Sequence, residues 1–172
     1  MICASPYRRT LETAAIIAQK TGSPLYPAPL LQEYVRHDGK ARIAVRSPEA
    51  LKAEFPMLVD SGLSADWPVR GPETLLSVKR RAAAMLDAMK NKETGGGDWL
   101  FVTHGAVIKG FHLLCIGYEG GALPPLPMNW NCCLSEYEFG RDGKLKPVTL
   151  FDVSFLPEEL VTSNERRKSP AK

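Results

Sequence analysis

Trp99-Leu100-Phe101-Val102-Thr103-His104-Gly105-Ala106-Val107-Ile108 limits what this chain can fold into more than any other stretch. Trp99 to Val102 is apolar, rich in β-branched and aromatic residues, and set behind Gly95-Gly96-Gly97. It predicts a fully buried strand of a mostly parallel sheet. The amphipathic run from Ala106 to Leu114 predicts a helix directly behind it. In open α/β sheets, ligands bind at the carboxyl ends of the strands, where the chain turns into helices. His104 falls at that end. The helix start beside it offers free amides and a positive dipole end, which suit an anion. A histidine that merely caps the turn is the competing reading of this segment. The glycine run is no phosphate cradle, because it precedes its strand.

The bounds on function come from length and charge. A chain of 172 residues fits one domain with a substantial core. A net charge of +3, with no basic stripe interleaved with aromatics, argues against nucleic acid. The apolar runs are too short for a membrane span. Met1 to Ala4 passes straight into Ser5-Pro6 without a signal peptide, so a cytoplasmic location is expected. The cysteines at 3, 115, 132 and 133 have no metal-ligand spacing. Adjacent Cys132 and Cys133 would make a strained disulfide, so all four read as buried free thiols.

In chain order, Met1 to Ala4 reads as the end of a strand broken by Ser5-Pro6. Arg9 to Lys20 reads as a helix with Leu11, Ala14, Ala15, Ile16 and Ala18 on its apolar face, ended by Gly22. Leu25 to Leu31, with Pro27 and Pro29, reads as an edge strand drifting into a loop. Glu33 to Arg46 is dense in charge and reads as an irregular stretch over a binding face. Ser47-Pro48 opens a helix to about Phe55 or Asp60. Residues 60–70 are turn-rich, and Glu73 to about Lys90 is the longest helix. Leu123 to Pro127 is a proline-rich loop. Asn131 to Phe139 and Lys146 to Phe151 form a hairpin around Arg141-Asp142-Gly143-Lys144. Residues 163–172 read as a disordered basic tail.

Three places carry candidate chemistry. Arg9 stands in the first turn of a helix, where the dipole disfavours a cation, unless it holds a phosphate with its planar fork. A solvated surface arginine is the plainer alternative. Glu33, just after an extended segment, is either a general acid or a surface carboxylate. His104 is the third.

Ser5-Pro6-x-x-Arg9-x-x-Glu12-Thr13-Ala14 resembles a signature of the histidine phosphatase superfamily, usually Ser-Pro-Leu-x-Arg-Ala-x-Gln-Thr-Ala. Further matches follow in the family's order. Leu31-Gln32-Glu33 resembles the Leu-x-Glu of the acid/base carboxylate, and Gly71-Pro72-Glu73-Thr74 the Gly-Glu-Ser opening of the long helix. Val102-Thr103-His104-Gly105 resembles the Ser/Thr-His-Gly signature. Asn131-Cys132-Cys133 resembles Asn-Cys-Ser, and Asp152 to Leu156 the Asn-Asp-x-x-His-Leu ending. The resemblance runs from residue 2 to about 162 and makes residues 1–162 one histidine phosphatase-like domain. It implies an α/β three-layer sandwich with a mostly parallel sheet, like that of phosphoglycerate mutases.

The resemblance also implies roles. Arg9 would grip phosphoryl oxygens, with Arg8 as the substitute one residue away. His104 would stabilise the charge that builds up in transfer. Glu33 would protonate the leaving oxygen and then activate water. Ser5 and Gly105 would border the phosphate site, and neither metal nor cofactor would be needed. The implied activity is phosphomonoester hydrolysis through a phosphohistidine, on a small phosphorylated substrate. A phosphoglycerate mutase is an alternative, although the chain is short where such enzymes carry inserts.

One departure matters. The family's nucleophile is the histidine of an Arg-His-Gly motif on the first strand, and that motif occurs nowhere in this sequence. His37 reads as a surface or substrate-side residue, and His112 as a structural helix residue. The resemblance therefore implies a chain lacking the first strand and helix, inactive as written. It would be a truncated phosphatase, a short form or pseudophosphatase that only binds phospho-ligands, or a chain completed by another.

Overall fold

The computed structural model describes residues 1–35, 46–59, 71–90 and 97–163. His37 and most of its charged stretch, the turn-rich residues 60–70, Gly95, Gly96 and the tail beyond Ser163 lie outside the described residues.

The sheet is parallel and its middle strand comes first in the chain. β1 (Ile2–Ala4) pairs on one side with β2 (Leu25–Pro27) and on the other with β3 (Leu100–Val102). Ile2 stands level with Leu25 and Leu100, and Ala4 with Pro27 and Val102. All three strands therefore end along one edge of the sheet.

Alternation along β1 builds two cores. Ile2 and Ala4 face α1 (Arg8–Thr21) and α2 (Pro48–Glu54), packing with Leu11, Ala14, Ala15, Ala18, Leu25, Leu51, Phe55 and Leu58. Cys3 points the other way, toward α3 (Leu75–Lys90) and α4 (Gly105–Cys115). There it joins Leu31, Val78, Ala82, Met85, Leu86, Val107 and Phe111. Successive side chains of a strand point to opposite faces, so even a three-residue strand serves both layers. The result is the expected three-layer α/β arrangement.

Local chemistry sets the helix ends. Gly22 caps α1 at φ 66°, a left-handed conformation that glycine adopts without steric cost. The Ser47 hydroxyl accepts from the Ala50 amide at 3.2 Å ahead of Pro48. A single 3-10 turn, Pro29–Leu31, follows β2, with Pro29 at its first position, where the missing N–H costs nothing. β4 (Leu134–Phe139) and β5 (Leu145–Asp152) form an antiparallel hairpin that leans on α4 through Tyr137 and Phe111, ring centroids 6.0 Å apart.

Four expectations need correction. β3 is half-buried rather than fully buried, because it is an edge of the described sheet, with β1 on one side only. Ile16 is 56% exposed. At 3.6 residues per turn it lies roughly 150° around α1 from the face made by Leu11, Ala14, Ala15 and Ala18. Of the four cysteines Cys3 alone is fully buried, and Cys132 is exposed. Cys132 takes φ 60° in a turn, which is why β4 starts at Leu134 rather than Asn131.

Candidate active site

The turn after β1 is tightly fixed. The Ser5 amide donates to the Val102 carbonyl at 2.9 Å, continuing the β1–β3 ladder by one residue. The Thr10 hydroxyl reaches back to the Ser5 and Tyr7 carbonyls, both at 2.7 Å. Arg9 is thereby held in the first turn of α1. His104 is the last non-helical residue between β3 and α4. Glu33 follows the 3-10 turn, and the Thr103 hydroxyl ties that segment to the end of β3 by donating to the Leu31 carbonyl at 2.8 Å. Ser5, Arg9, Glu33 and His104 thus come from three separate stretches to the carboxyl edge of the sheet.

Arg9 sits between the other two candidates. Its Nη2 lies 2.9 Å from His104 Nδ1 and 3.2 Å from Glu33 Oε2. The Glu33 carboxylate also accepts from the Tyr34 amide at 2.9 Å. On the far side of the imidazole, Nε2 is 2.8 Å from the Ser5 hydroxyl, which is fully buried. Arg8 is directed elsewhere. Its Nε pairs with Glu12 at 2.8 Å and Glu54 at 3.2 Å, so Arg9 is the arginine that joins the cluster.

Serine, histidine and glutamate in a row look like a hydrolase triad, but the protons run the wrong way. A guanidinium only donates, so Nδ1 must be an acceptor and the imidazole proton must sit on Nε2, directed at Ser5. A general base for Ser5 would need the opposite tautomer. Nor is His104 a cation paired with Glu33, although Nδ1 and Oε2 are only 3.5 Å apart. Burial, then the Arg9 and Arg81 guanidinium groups, hold its pKa down to about 3. At neutral pH the imidazole is neutral, and one arginine bridges it to the Glu33 carboxyl group. That arrangement can receive an anion by exchanging partners on Arg9, and it can polarise what it holds.

A model of the histidine phosphatase superfamily (branch 1) matches residues 1–150 of this sequence. The chain belongs to the histidine phosphatase superfamily. Membership supports phosphatase-type or mutase-type chemistry on phosphorylated small molecules at that general level. No curated protein matched the sequence. Among the described residues of this histidine phosphatase family member, no helix is long and apolar enough to cross a membrane. No group of three His, Cys, Asp or Glu side chains there could hold a metal ion.

The candidate site is supported by Arg81, Asn129 and Tyr7, which sequence patterns alone do not single out. Arg81 of α3, buried, forms a two-pronged pair with buried Glu73, Nε to Oε1 at 2.7 Å and Nη2 to Oε2 at 3.0 Å. Its Nη1 donates to the Leu30 and Gln32 carbonyls at 2.6 and 3.2 Å. Glu73 in turn accepts from the Val35 amide at 3.1 Å and donates its own amide to the Val35 carbonyl at 2.8 Å. The segment carrying Glu33 is clamped on both sides by one ion pair. The Asn129 amide fills the space over Gly105, where a Cβ would meet its Nδ2 at 1.4 Å. An alanine in place of the glycine of the His-Gly pair would have to displace the Asn129 amide. Tyr7 lies edge-on to His104 and under Arg9.

Proposed function

We propose that this site serves phosphomonoester hydrolysis of the histidine phosphatase type, on a small phosphorylated substrate. The supporting observation is the Arg9 guanidinium held between a neutral buried imidazole and a carboxylate at the sheet's carboxyl edge. Arg9 binds phosphoryl oxygens with its planar fork, and His104 stabilises the charge on them during transfer. Ser5 backs His104 from its buried side, and α4 starts at Gly105 directly beside the imidazole. Glu33 gives a proton to the leaving oxygen as the phosphorus–oxygen bond breaks, and later takes one from the attacking water. Hydrolysis is favoured over a mutase reaction because the arginines next to the cluster are committed. Arg8 is paired with Glu12 and Glu54, and Arg81 with Glu73, so neither of these two described arginines is open to a second phosphate.

The phosphoryl acceptor in such chemistry is a histidine, and the cluster holds none free for it. Both nitrogens of His104 are engaged, by Arg9 and Ser5. His112 lies in the last turn of α4, and His37 is outside the described residues. The 172-residue chain by itself is accordingly expected to bind phosphate without turnover. A phospho-ligand-binding role without catalysis is the second reading, favoured by the engagement of both His104 nitrogens.

The test compares this chain with one extended upstream in its own reading frame. Hydrolysis of a generic aryl phosphate is measured, and intact mass is followed for a trapped phosphohistidine. Turnover and labelling in the extended chain, both lost in Arg9→Ala, support hydrolysis. If neither chain turns over while this one binds phosphate through Arg9, the non-catalytic reading stands. Turnover by this chain alone overturns the non-catalytic reading and places the acceptor within these 172 residues.

A further inference from the structure

The Arg9 side chain is 59% exposed, an unusual degree of freedom for a group expected to hold a phosphate in register. Its edge contacts, to His104 and Glu33, are those an incoming anion displaces. What remains is its face. The Arg9 Cζ lies 5.1 Å from the centroid of the Tyr7 ring, within cation–π range. The same ring meets the His104 imidazole edge-on, centroids 5.0 Å apart at 70°. Tyr7 immediately precedes α1, where the Thr10 hydroxyl holds its carbonyl, so the ring is placed by the turn itself.

We propose that Tyr7 is the positioning residue for Arg9, holding the guanidinium plane by its face while the N–H edges exchange Glu33 and His104 for phosphoryl oxygens. This rests on the reading of the cluster as a phosphate site. Guanidinium recognition allows such a division, because stacking uses the face and hydrogen bonding uses the rim. The ring carries the role and the hydroxyl does not. The Tyr7 hydroxyl is buried with no hydrogen-bond partner among the described residues. Burial first, then Glu33, push its pKa up to about 12, so it stays protonated and neutral.

The experiment uses the full chain with Tyr7→Phe, Tyr7→Leu and Tyr7→trifluorophenylalanine. The last keeps the ring's shape while weakening its negative face, so it answers the question even where Tyr7→Leu disturbs folding. Two readouts are taken: the Kd for inorganic phosphate, and the His104 titration by NMR. The groups facing that imidazole are Arg9 and Tyr7 at the start of α1, Ser5 after β1, Glu33 after the 3-10 turn, and Arg81 on α3.

Tyr7→Phe is expected to match the wild type in both. The leucine and fluorinated variants are expected to weaken phosphate binding about tenfold and to raise the His104 midpoint as Arg9 leaves Nδ1. Unchanged readings in both of those variants overturn the proposal, as does an equal loss in Tyr7→Phe. If the wild type binds no phosphate but the His104 midpoint shifts as stated, Tyr7 positions Arg9 and the phosphate reading is what fails.

Discussion

Arg9 Nη2 and His104 Nδ1 are 2.9 Å apart, and only one of them has a proton to give. This fixes the tautomer of the buried imidazole without any carboxylate partner. It also makes the tautomer reversible. When Arg9 turns to an anion, the proton can move to Nδ1 and face the ligand. The Ser5 hydroxyl, both donor and acceptor, then donates to Nε2 instead of accepting from it. Neither state leaves a buried ring nitrogen unpaired.

Arg9 and Arg8 are expected to separate cleanly on substitution. Arg9→Ala should abolish measurable phosphate binding, and Arg9→Lys should restore only part of it, since lysine lacks the planar fork. Arg8→Ala loses exposed pairs only, and its cost should stay within about 1 kcal/mol. Calorimetric titration with inorganic phosphate checks all three. Loss of binding in Arg8→Ala alone would exchange the two roles.

His104 makes stability depend on pH in a direction that can be stated in advance. Its pKa is about 3 in the fold, while an imidazole in the unfolded chain titrates near about 6.5. Between those values the unfolded chain binds a proton that the folded chain does not. The contribution is therefore complete above about pH 6.5 and falls away as pH drops toward about 3, by up to about 1.4 kcal/mol per unit. Urea midpoints across this window should fall more steeply for the wild type than for His104→Asn. Equal slopes would refute the assignment.

Removing one partner of the Glu73–Arg81 pair leaves a buried charge uncompensated. Arg81→Met should cost about 3–5 kcal/mol in urea unfolding, and the double variant Glu73→Gln/Arg81→Met distinctly less. It should also strip the Leu30 and Gln32 carbonyls of their donor and loosen the segment that presents Glu33. Amide exchange at Glu33 to Val35 reports this directly. Protection unchanged in Arg81→Met would show that the clamp does not hold the loop.

Gly105→Ala drives a methyl group into the Asn129 amide, and a cost of about 1–3 kcal/mol is expected. Asn129→Ala made together with it should recover part of that loss. A double-mutant cycle in thermal unfolding measures the coupling. Additive effects would mean that the two residues do not compete for the same space.

Much of this was legible in the sequence where one stretch carries its own evidence. Helix ends at Ser47 and Gly22, the extended Leu25 segment and the His-Gly turn all follow from neighbouring residues. Arg9 and Glu33, read from their own neighbours, fit surface residues equally well; the resemblance to the family's motifs is what joined them to His104, and the structure brings the three within hydrogen-bonding reach. The choice of Arg9 over Arg8 was not legible, since it depends on Glu54 of α2 lying beside Arg8. Arg81 was invisible for the same reason. It sits in a helix that reads as amphipathic, and its carbonyl partners are about fifty residues upstream. The half-burial of β3 depends on strand order, which residue patterns do not encode.

The two hydrophobic clusters share no residue and lie on opposite faces of a sheet only three residues deep. Arg9 belongs to the layer of α1, Glu33 is anchored by α3, and His104 stands between them. An anion held by all three would stitch the halves of the molecule across a thin seam. Occupancy then becomes a matter of cohesion as well as chemistry: the ligand should raise the melting temperature and sharpen the transition together, as two loosely joined halves come to unfold as one.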